Sequence, residues 1–100
     1  TVIPAYMGLI SELDDHLGRL MDFLKARGDL ENTIIVLTSD HGDYLGDHWL
    51  GEKELFYEEV ARIPMIVVDP SAASDVTRGT KDSRFVESID LIPTIMELAG

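Results

Sequence analysis

The sequence predicts an α/β fold, an α/β sandwich with a mostly parallel central sheet. Three observations predict it. Residues 5–27 have helical period, residues 33–38 form an apolar and β-branched run without polar alternation, and residues 63–68 form a second apolar run. A helix followed by a short connection and a continuous apolar strand is typical of a parallel sheet that is covered on both faces.

The first helix is predicted from apolar residues that recur at intervals of three and four and therefore share one face. This stripe is expected to be core and consists of Ile10, Leu13, Leu17, Leu20 and Leu24. Lys25 and Arg27 suit the last helical turn, where cations complement the helix dipole. Gly28 suits the left-handed position that closes a helix.

The remaining elements follow from shorter signals. Pro64 near the start of the second strand indicates a strand entry or an edge, and residues 69–82 are expected to form an exposed loop. A last helix is predicted from Leu91, with Pro93 in its first turn and either Ser88 or Asp90 as its cap. Two helices cannot cover both faces of a parallel sheet, so residues 1–100 are expected to be a single segment of a larger domain.

Composition excludes several classes of function. Lys and Arg number 8 against 19 Asp and Glu, which gives a formal net charge of -11. This balance argues against nucleic-acid binding, which requires clustered cations, and is compatible with binding a cation. No apolar run is long enough to span a membrane. The chain has no cysteine, so it has neither a disulfide framework nor a thiolate nucleophile.

The compartment is left open by the sequence, because an absence of cysteine fits reducing and oxidising surroundings alike. The lack of a signal-peptide pattern slightly favours the cytoplasm. Homo-oligomerisation is also left open.

Asp40 and His41 directly follow the first predicted strand, where ligands bind in open α/β sheets. A carboxylate oxygen and an imidazole nitrogen are both ligands for divalent cations, and Gly42 allows a sharp turn after them. The alternative is an ordinary turn with an Asp cap and a solvated His. Lys53, farther along the same loop, is either a surface lysine or a cation suited to sulfate or phosphate oxygens.

Four stretches in order resemble the C-terminal catalytic segment of the sulfatase family, a branch of the alkaline phosphatase superfamily. They are the helix over residues 6–24; SDHG at 39–42 followed by GDH at 46–48 and by Lys53; the YEE…R-x-P stretch within 56–64; and D-L-x-P-T-x-x-x-L-A-G at 90–100. The resemblance covers essentially the whole chain and is nearest to the arylsulfatase and phosphonate monoester hydrolase branch. It implies an alkaline-phosphatase-like α/β sandwich.

The resemblance implies roles for individual residues. Asp40 and His41 are expected to be two metal ligands, and Lys53 is expected to contact sulfuryl or phosphoryl oxygens as a catalytic and substrate-binding group. His48 is expected either to line the substrate pocket or to hold the groups that bind metal and substrate without contacting the substrate itself. Arg62 is expected to be structural and to pair with a carboxylate such as Glu58 or Glu59.

The family's nucleophile, a formylglycine made within a Cys/Ser-x-Pro-x-Arg motif, has no counterpart in these residues and is expected upstream. The implied function is part of a hydrolase of sulfate esters or of phosphonate and phosphate mono- and diesters. It would use one divalent metal ion, and the His ligand favours Mn²⁺ slightly over Ca²⁺. The expected partners are the anionic ester and the remainder of the catalytic domain, with no nucleic acid and no membrane. The alternatives are a metal-dependent phosphomutase or phosphodiesterase of the same superfamily, and a non-catalytic metal-binding or structural module.

Overall fold

The computed structural model describes residues 2–100. Its helices are α1 (Val2–Arg27), α2 (Glu58–Ala61) and α3 (Leu91–Ala99), and its strands are β1 (Ile35–Thr38) and β2 (Met65–Val68). Single turns of 3₁₀-helix lie at Leu30–Asn32, Asp47–Trp49 and Ser88–Asp90, and a longer one lies at Ala72–Thr77. In the part of the chain described, no helix is both long enough and apolar enough to cross a membrane.

Helix α1 ends as its sequence predicts. Gly28 has a φ of 77°, and its N–H donates to the Lys25 carbonyl at 3.0 Å, while the N–H of Asp29 donates to the Leu24 carbonyl at 3.0 Å. This pair of hydrogen bonds is the Schellman arrangement, in which a residue without a Cβ takes the left-handed conformation.

The expectation that the apolar stripe of α1 is core is wrong within residues 2–100, where no residue of α1 is buried. Leu17 and Leu24 are half-buried, and Ile10, Leu13 and Leu20 are exposed. The physical reason is that the described chain packs α1 chiefly against the short turn at Leu30–Asn32, so no helix or sheet covers the stripe.

The two strands pair antiparallel, with Ile35 opposite Val68 and Thr38 opposite Met65. The expectation of parallel pairing is therefore wrong for these strands, and β1 is half-buried rather than buried on both faces. A parallel pair needs a crossover that carries the chain back to the same end of the sheet. Here the connection instead brings the chain back beside the end of β1, where the Thr38 hydroxyl donates to the Pro64 carbonyl at 2.9 Å.

The C-terminal helix begins where the sequence predicts, with Pro93 in the first turn of α3. Of the two predicted caps, Asp90 occupies the N-cap position of α3, but its side chain makes no capping hydrogen bond to that helix. Its carboxylate instead accepts the N–H of Glu87 at 2.8 Å, in a capping box on the preceding 3₁₀ turn. The predicted loop over residues 69–82 is exposed except at Asp69, Pro70 and Ser74, which are half-buried, and it contains the 3₁₀-helix Ala72–Thr77.

Residues 39–64 form the connection between the two strands and carry most of the predicted site. Tyr44 and Val60 are the buried hydrophobic residues of the described chain, at 0% and 6% exposed. The small core therefore lies inside this connection rather than against the helices.

Candidate metal and substrate site

Asp40 and His41 lie side by side just after β1. Asp40 Oδ2 is 3.3 Å from His41 Nε2, and the Asp40 side chain is 83% exposed while that of His41 is 35% exposed. The separation is slightly longer than a direct N–H···O hydrogen bond. Two ligands at right angles on one cation, with bonds of about 2.1–2.4 Å, are about 3.0–3.4 Å apart. The spacing therefore suits two ligands of a shared ion.

The other ring nitrogen of His41 determines which form of the imidazole is available. His41 Nδ1 is 2.7 Å from the Gly42 carbonyl oxygen, which can only accept, so Nδ1 carries the proton. In the neutral ring Nε2 then has a free lone pair, and it lies 3.3 Å from Asp40 Oδ2. Two electron-rich atoms this close together are stabilised by a cation that binds both, and a main-chain acceptor on the opposite nitrogen is the usual orientation of metal-binding histidines.

The second oxygen of Asp40 is held by its neighbours. Asp40 Oδ1 accepts the His41 main-chain N–H at 3.0 Å and lies 3.3 Å from the Ser39 hydroxyl, which donates to it. The pKa of Asp40 is lowered, first by the His41 N–H, then by its own main-chain N–H, and further by His41 and Ser39. These hydrogen bonds favour the ionised carboxylate and leave Oδ2 available.

The described residues supply only part of a metal coordination sphere. Across residues 2–100, no group of three or more His, Cys, Asp or Glu side chains could hold a metal ion. Divalent cations take about four to eight ligands. Asp40 and His41 therefore fit such an ion as a pair of ligands, and further donors would have to come from water, substrate or other parts of the protein.

Lys53 lies in an exposed turn of the same connection. It follows Glu52, whose carbonyl accepts the Tyr44 main-chain N–H at 3.2 Å. This hydrogen bond brings the backbone next to Lys53 back to a residue three positions after His41.

His48 is held by a carboxylate and two tyrosines. Its Nε2 lies 3.2 Å from both carboxylate oxygens of Glu59. Its ring is stacked on Tyr57 with centroids 4.3 Å apart, and Tyr44 presents an edge contact to both rings. The pKa of Glu59 is lowered, first by its own main-chain N–H and further by His48. These contacts join the loop that carries His48 to the start of α2.

Arg62 was expected to pair with a carboxylate such as Glu58 or Glu59. Among residues 2–100 it forms no ion pair with either of them, and Glu59 meets His48 instead. Arg62 lies at the end of α2, and its main-chain N–H donates to the Glu58 carbonyl at 2.8 Å.

Gly42 is the point at which the metal-ligand segment contacts α2. Its N–H donates to the Val60 carbonyl at 2.9 Å. A Cβ at this position would overlap the carbonyl oxygen of Glu59 and would lie 3.2 Å from Val60 Cα. The glycine is therefore required by the close approach of two backbones, and its φ is not in the left-handed region.

The sequence prediction did not identify Tyr44, Tyr57 and Glu59 as parts of this arrangement. The available signal was the placement of aromatic residues just after the Asp-His-Gly run and just before the Glu-Glu pair. Without knowing that residues 57–60 fold back onto Gly42 and Tyr44, the pattern did not indicate a contact.

Comparison with known proteins gives a consistent result. Residues 1–100 match the Sulfatase family model. The chain is 44% identical, over 95% of its length, to the multifunctional alkaline phosphatase superfamily protein PehA of Trinickia caryophylli. It is 38% identical, over 95% of its length, to the N-acetylglucosamine-6-O-sulfatase of Bacteroides thetaiotaomicron. It is also 36% identical, over 96% of its length, to the choline-sulfatase of Rhizobium meliloti. These alignments cover 18%, 16% and 18% of the three relatives, so the chain spans less than a fifth of their length.

Proposed function

Because this chain belongs to the sulfatase family, within the alkaline phosphatase superfamily, we propose that it is a segment of a metal-dependent hydrolase of anionic esters. The bond cleaved would be the S–O bond of a sulfate ester or the P–O bond of a phosphonate or phosphate ester. The observation that carries the proposal is the Asp40–His41 pair, in which a free carboxylate oxygen and an imidazole nitrogen lie 3.3 Å apart while Gly42 holds the opposite ring nitrogen.

Each residue of the site would act through its charge. Asp40 and His41 would hold one divalent ion, either Mn²⁺ or Ca²⁺, which when bound polarises the ester oxygens. Lys53 would bind the non-bridging oxygens and stabilise the negative charge that develops on them as the ester bond breaks. His48 would keep the loop that carries Lys53 in place.

The nucleophile would come from outside residues 1–100. The family resemblance implies a formylglycine, and the required Cys/Ser-x-Pro-x-Arg motif is absent from these residues. Two features of the described chain support its being a segment of a larger catalytic domain. The pair Asp40 and His41 supplies too few metal ligands, and large apolar side chains such as Leu13, Trp49 and Phe56 are exposed.

Two ester classes are retained in the proposal, the sulfate ester because of the names of the relatives and the phosphonate or phosphate ester because of its similar chemistry. Two of the relatives are named as sulfatases, and the relative at 44% identity is named as multifunctional. Sulfate and phosphonate esters both present tetrahedral anionic oxygens, so the same cation and the same lysine could bind either.

The test uses the whole purified protein that carries this chain. Its hydrolysis of 4-nitrophenyl sulfate and of 4-nitrophenyl phenylphosphonate is measured with and without Lys53→Ala. We expect one or both esters to be hydrolysed by the parent protein and Lys53→Ala to lower the turnover about 100-fold, the effect of removing one group that stabilises developing charge. Lys81→Ala, which removes the same charge from an exposed site, is the control and should retain the parent rate. A parent protein inactive on both esters, or an unchanged rate for Lys53→Ala, would contradict the proposal.

A further inference from the structure

The loop that leads to Lys53 has an unusual backbone. Four residues other than glycine have positive φ between residues 44 and 53, with values between 52° and 62°: Leu45, His48, Trp49 and Glu52. Side chains with a Cβ disfavour this conformation. Such a backbone persists only where the surrounding structure holds it, so the loop requires specific restraints.

Part of the restraint comes from main-chain hydrogen bonds that close the loop on itself. The N–H of Tyr44 donates to the Glu52 carbonyl at 3.2 Å, and the N–H of Gly46 donates to the Leu50 carbonyl at 3.0 Å. These bonds fix the shape of the loop, but they do not join it to the rest of the molecule.

His48 makes a side-chain connection from the loop to α2. Its imidazole meets both carboxylate oxygens of Glu59 at 3.2 Å and stacks on Tyr57, with the ring planes inclined by 15°. Tyr44, which is fully buried, packs against both rings and lies 3.4 Å from the Tyr57 main-chain N–H through its hydroxyl oxygen. These contacts therefore hold the His48 ring in one orientation against α2.

The same helix contacts the metal-ligand segment through its backbone. Gly42, the residue after His41, donates its N–H to the Val60 carbonyl at 2.9 Å. Helix α2 thus contacts the Asp40–His41 side of the site through main-chain atoms and the Lys53 loop through the Glu59 carboxylate.

We propose that Glu59 is a positioning residue for Lys53: by holding His48 it fixes the strained loop over residues 44–53 relative to Asp40 and His41. The inference rests on the proposed role of Lys53. It identifies the group that holds this lysine at a fixed position relative to Asp40 and His41. A partly exposed contact of this kind contributes little to global stability, so loss of the Glu59–His48 contact should change the geometry of the loop more than the stability of the fold.

The test is a double-mutant cycle in the whole protein, with Glu59→Gln and Lys53→Ala made singly and together. The probes are 4-nitrophenyl sulfate and 4-nitrophenyl phenylphosphonate. Displacing a catalytic group by about 1 Å costs up to about 100-fold in rate, so Glu59→Gln alone should lower kcat/KM about 10- to 100-fold. In the Lys53→Ala background the same change should cost less than about twofold, because residues that act through one another are not additive.

Glu58→Gln is the matched control, because it removes the same charge from the exposed neighbouring position of α2. It should leave kcat/KM within about twofold, as expected for a surface substitution away from structural contacts. A readout independent of activity is trypsin cleavage after Lys53, followed by mass spectrometry. Cleavage at this bond should be faster in Glu59→Gln than in Glu58→Gln because the loop opens more readily.

Where Glu59→Gln does not fold, His48→Asn replaces it, since Asn tolerates positive φ but loses the contacts with Glu59 and Tyr57. It should show the same dependence on Lys53. Equal losses from Glu59→Gln in both Lys53 backgrounds, or a Glu59→Gln that matches Glu58→Gln in rate and cleavage, would overturn the inference. A Lys53→Ala protein with full activity would instead refute the proposed function, so the two failures are distinguishable.

Discussion

Gly42→Ala tests the close approach on which the arrangement of the site depends. The added Cβ would overlap the Glu59 carbonyl oxygen and would lie 3.0 Å from its carbonyl carbon and 3.2 Å from Val60 Cα. All three are main-chain atoms of α2, so a side-chain rotation cannot relieve the overlap. The α2 backbone and the Asp40–Gly42 segment must move apart by about 1.5 Å in total to restore ordinary contact distances.

The expected cost has two parts. Overpacking at a tight contact costs about 1–3 kcal/mol, and weakening the 2.9 Å hydrogen bond from Gly42 to Val60 costs about 1 kcal/mol. The free energy of unfolding should therefore fall by about 2–4 kcal/mol. Because His41 bonds to the Gly42 carbonyl, a shift of about 1 Å should also lower kcat/KM by up to about 100-fold.

The assay is urea denaturation of the whole protein, with the ester hydrolysis rate measured on the same preparations. Gly51→Ala is the control, because a Cβ there meets nothing within 4 Å and Gly51 does not have positive φ. Its free energy of unfolding should stay within about 0.5 kcal/mol of the parent or rise slightly. If Gly42→Ala is as stable as Gly51→Ala, the two backbones do not meet as described and the reasoning fails.

Three further predictions follow from other contacts. Asp40→Asn should lower the affinity for the metal at least about 10-fold, and elemental analysis of the purified whole protein should therefore show less metal. Asp14→Asn in exposed α1 is the control, and equal metal content in the two variants would remove Asp40 from the metal site. Tyr44→Ala should lower the free energy of unfolding, measured in urea, by about 3–5 kcal/mol because it empties a fully buried site. Tyr44→Phe should lower it by at most about 1 kcal/mol because it removes only the 3.4 Å contact with the Tyr57 N–H, and similar losses in the two variants would refute the packing role. Hydrogen bonds from Arg84 lower the pKa of Asp82 from 3.8 to about 2, so their contribution to stability is present above pH 3.8 and is lost as the pH falls through 2. Carboxyl NMR titration should show the pKa of Asp82 returning towards 3.8 in Arg84→Gln, and an unchanged pKa would contradict the pairing.

Local features of the fold could be predicted because their causes lie within a few residues. The period of α1, the left-handed Gly28 that ends it and the position of Pro93 in α3 all follow from conformational preferences of short stretches. The direction of strand pairing could not, because an apolar run does not specify its partner. The antiparallel pairing brings Thr38 next to Pro64, which lies 26 positions farther along the chain.

The same distinction separates the two halves of the candidate site. Asp40 and His41 are neighbours in sequence, and the hydrogen bonds that orient them come from Ser39 and Gly42, so their arrangement is a local property that the sequence could indicate. The partner of His48 is Glu59, 11 positions away. Their contact depends on α2 lying against Gly42, which the sequence near His48 does not indicate.

Under the proposed function, the exposed stripe of α1 and the incomplete metal site have one cause. A helix stripe remains exposed until another surface covers it, and a cation held by two side chains lacks most of its ligands. Both would be completed by residues outside 1–100, but neither needs them for its own local geometry, since Asp40 and His41 are already oriented by adjacent main-chain atoms. Such preorganisation lowers the cost of forming the complete site. It follows that variants of Gly42 should impair metal binding even where every ligand is retained.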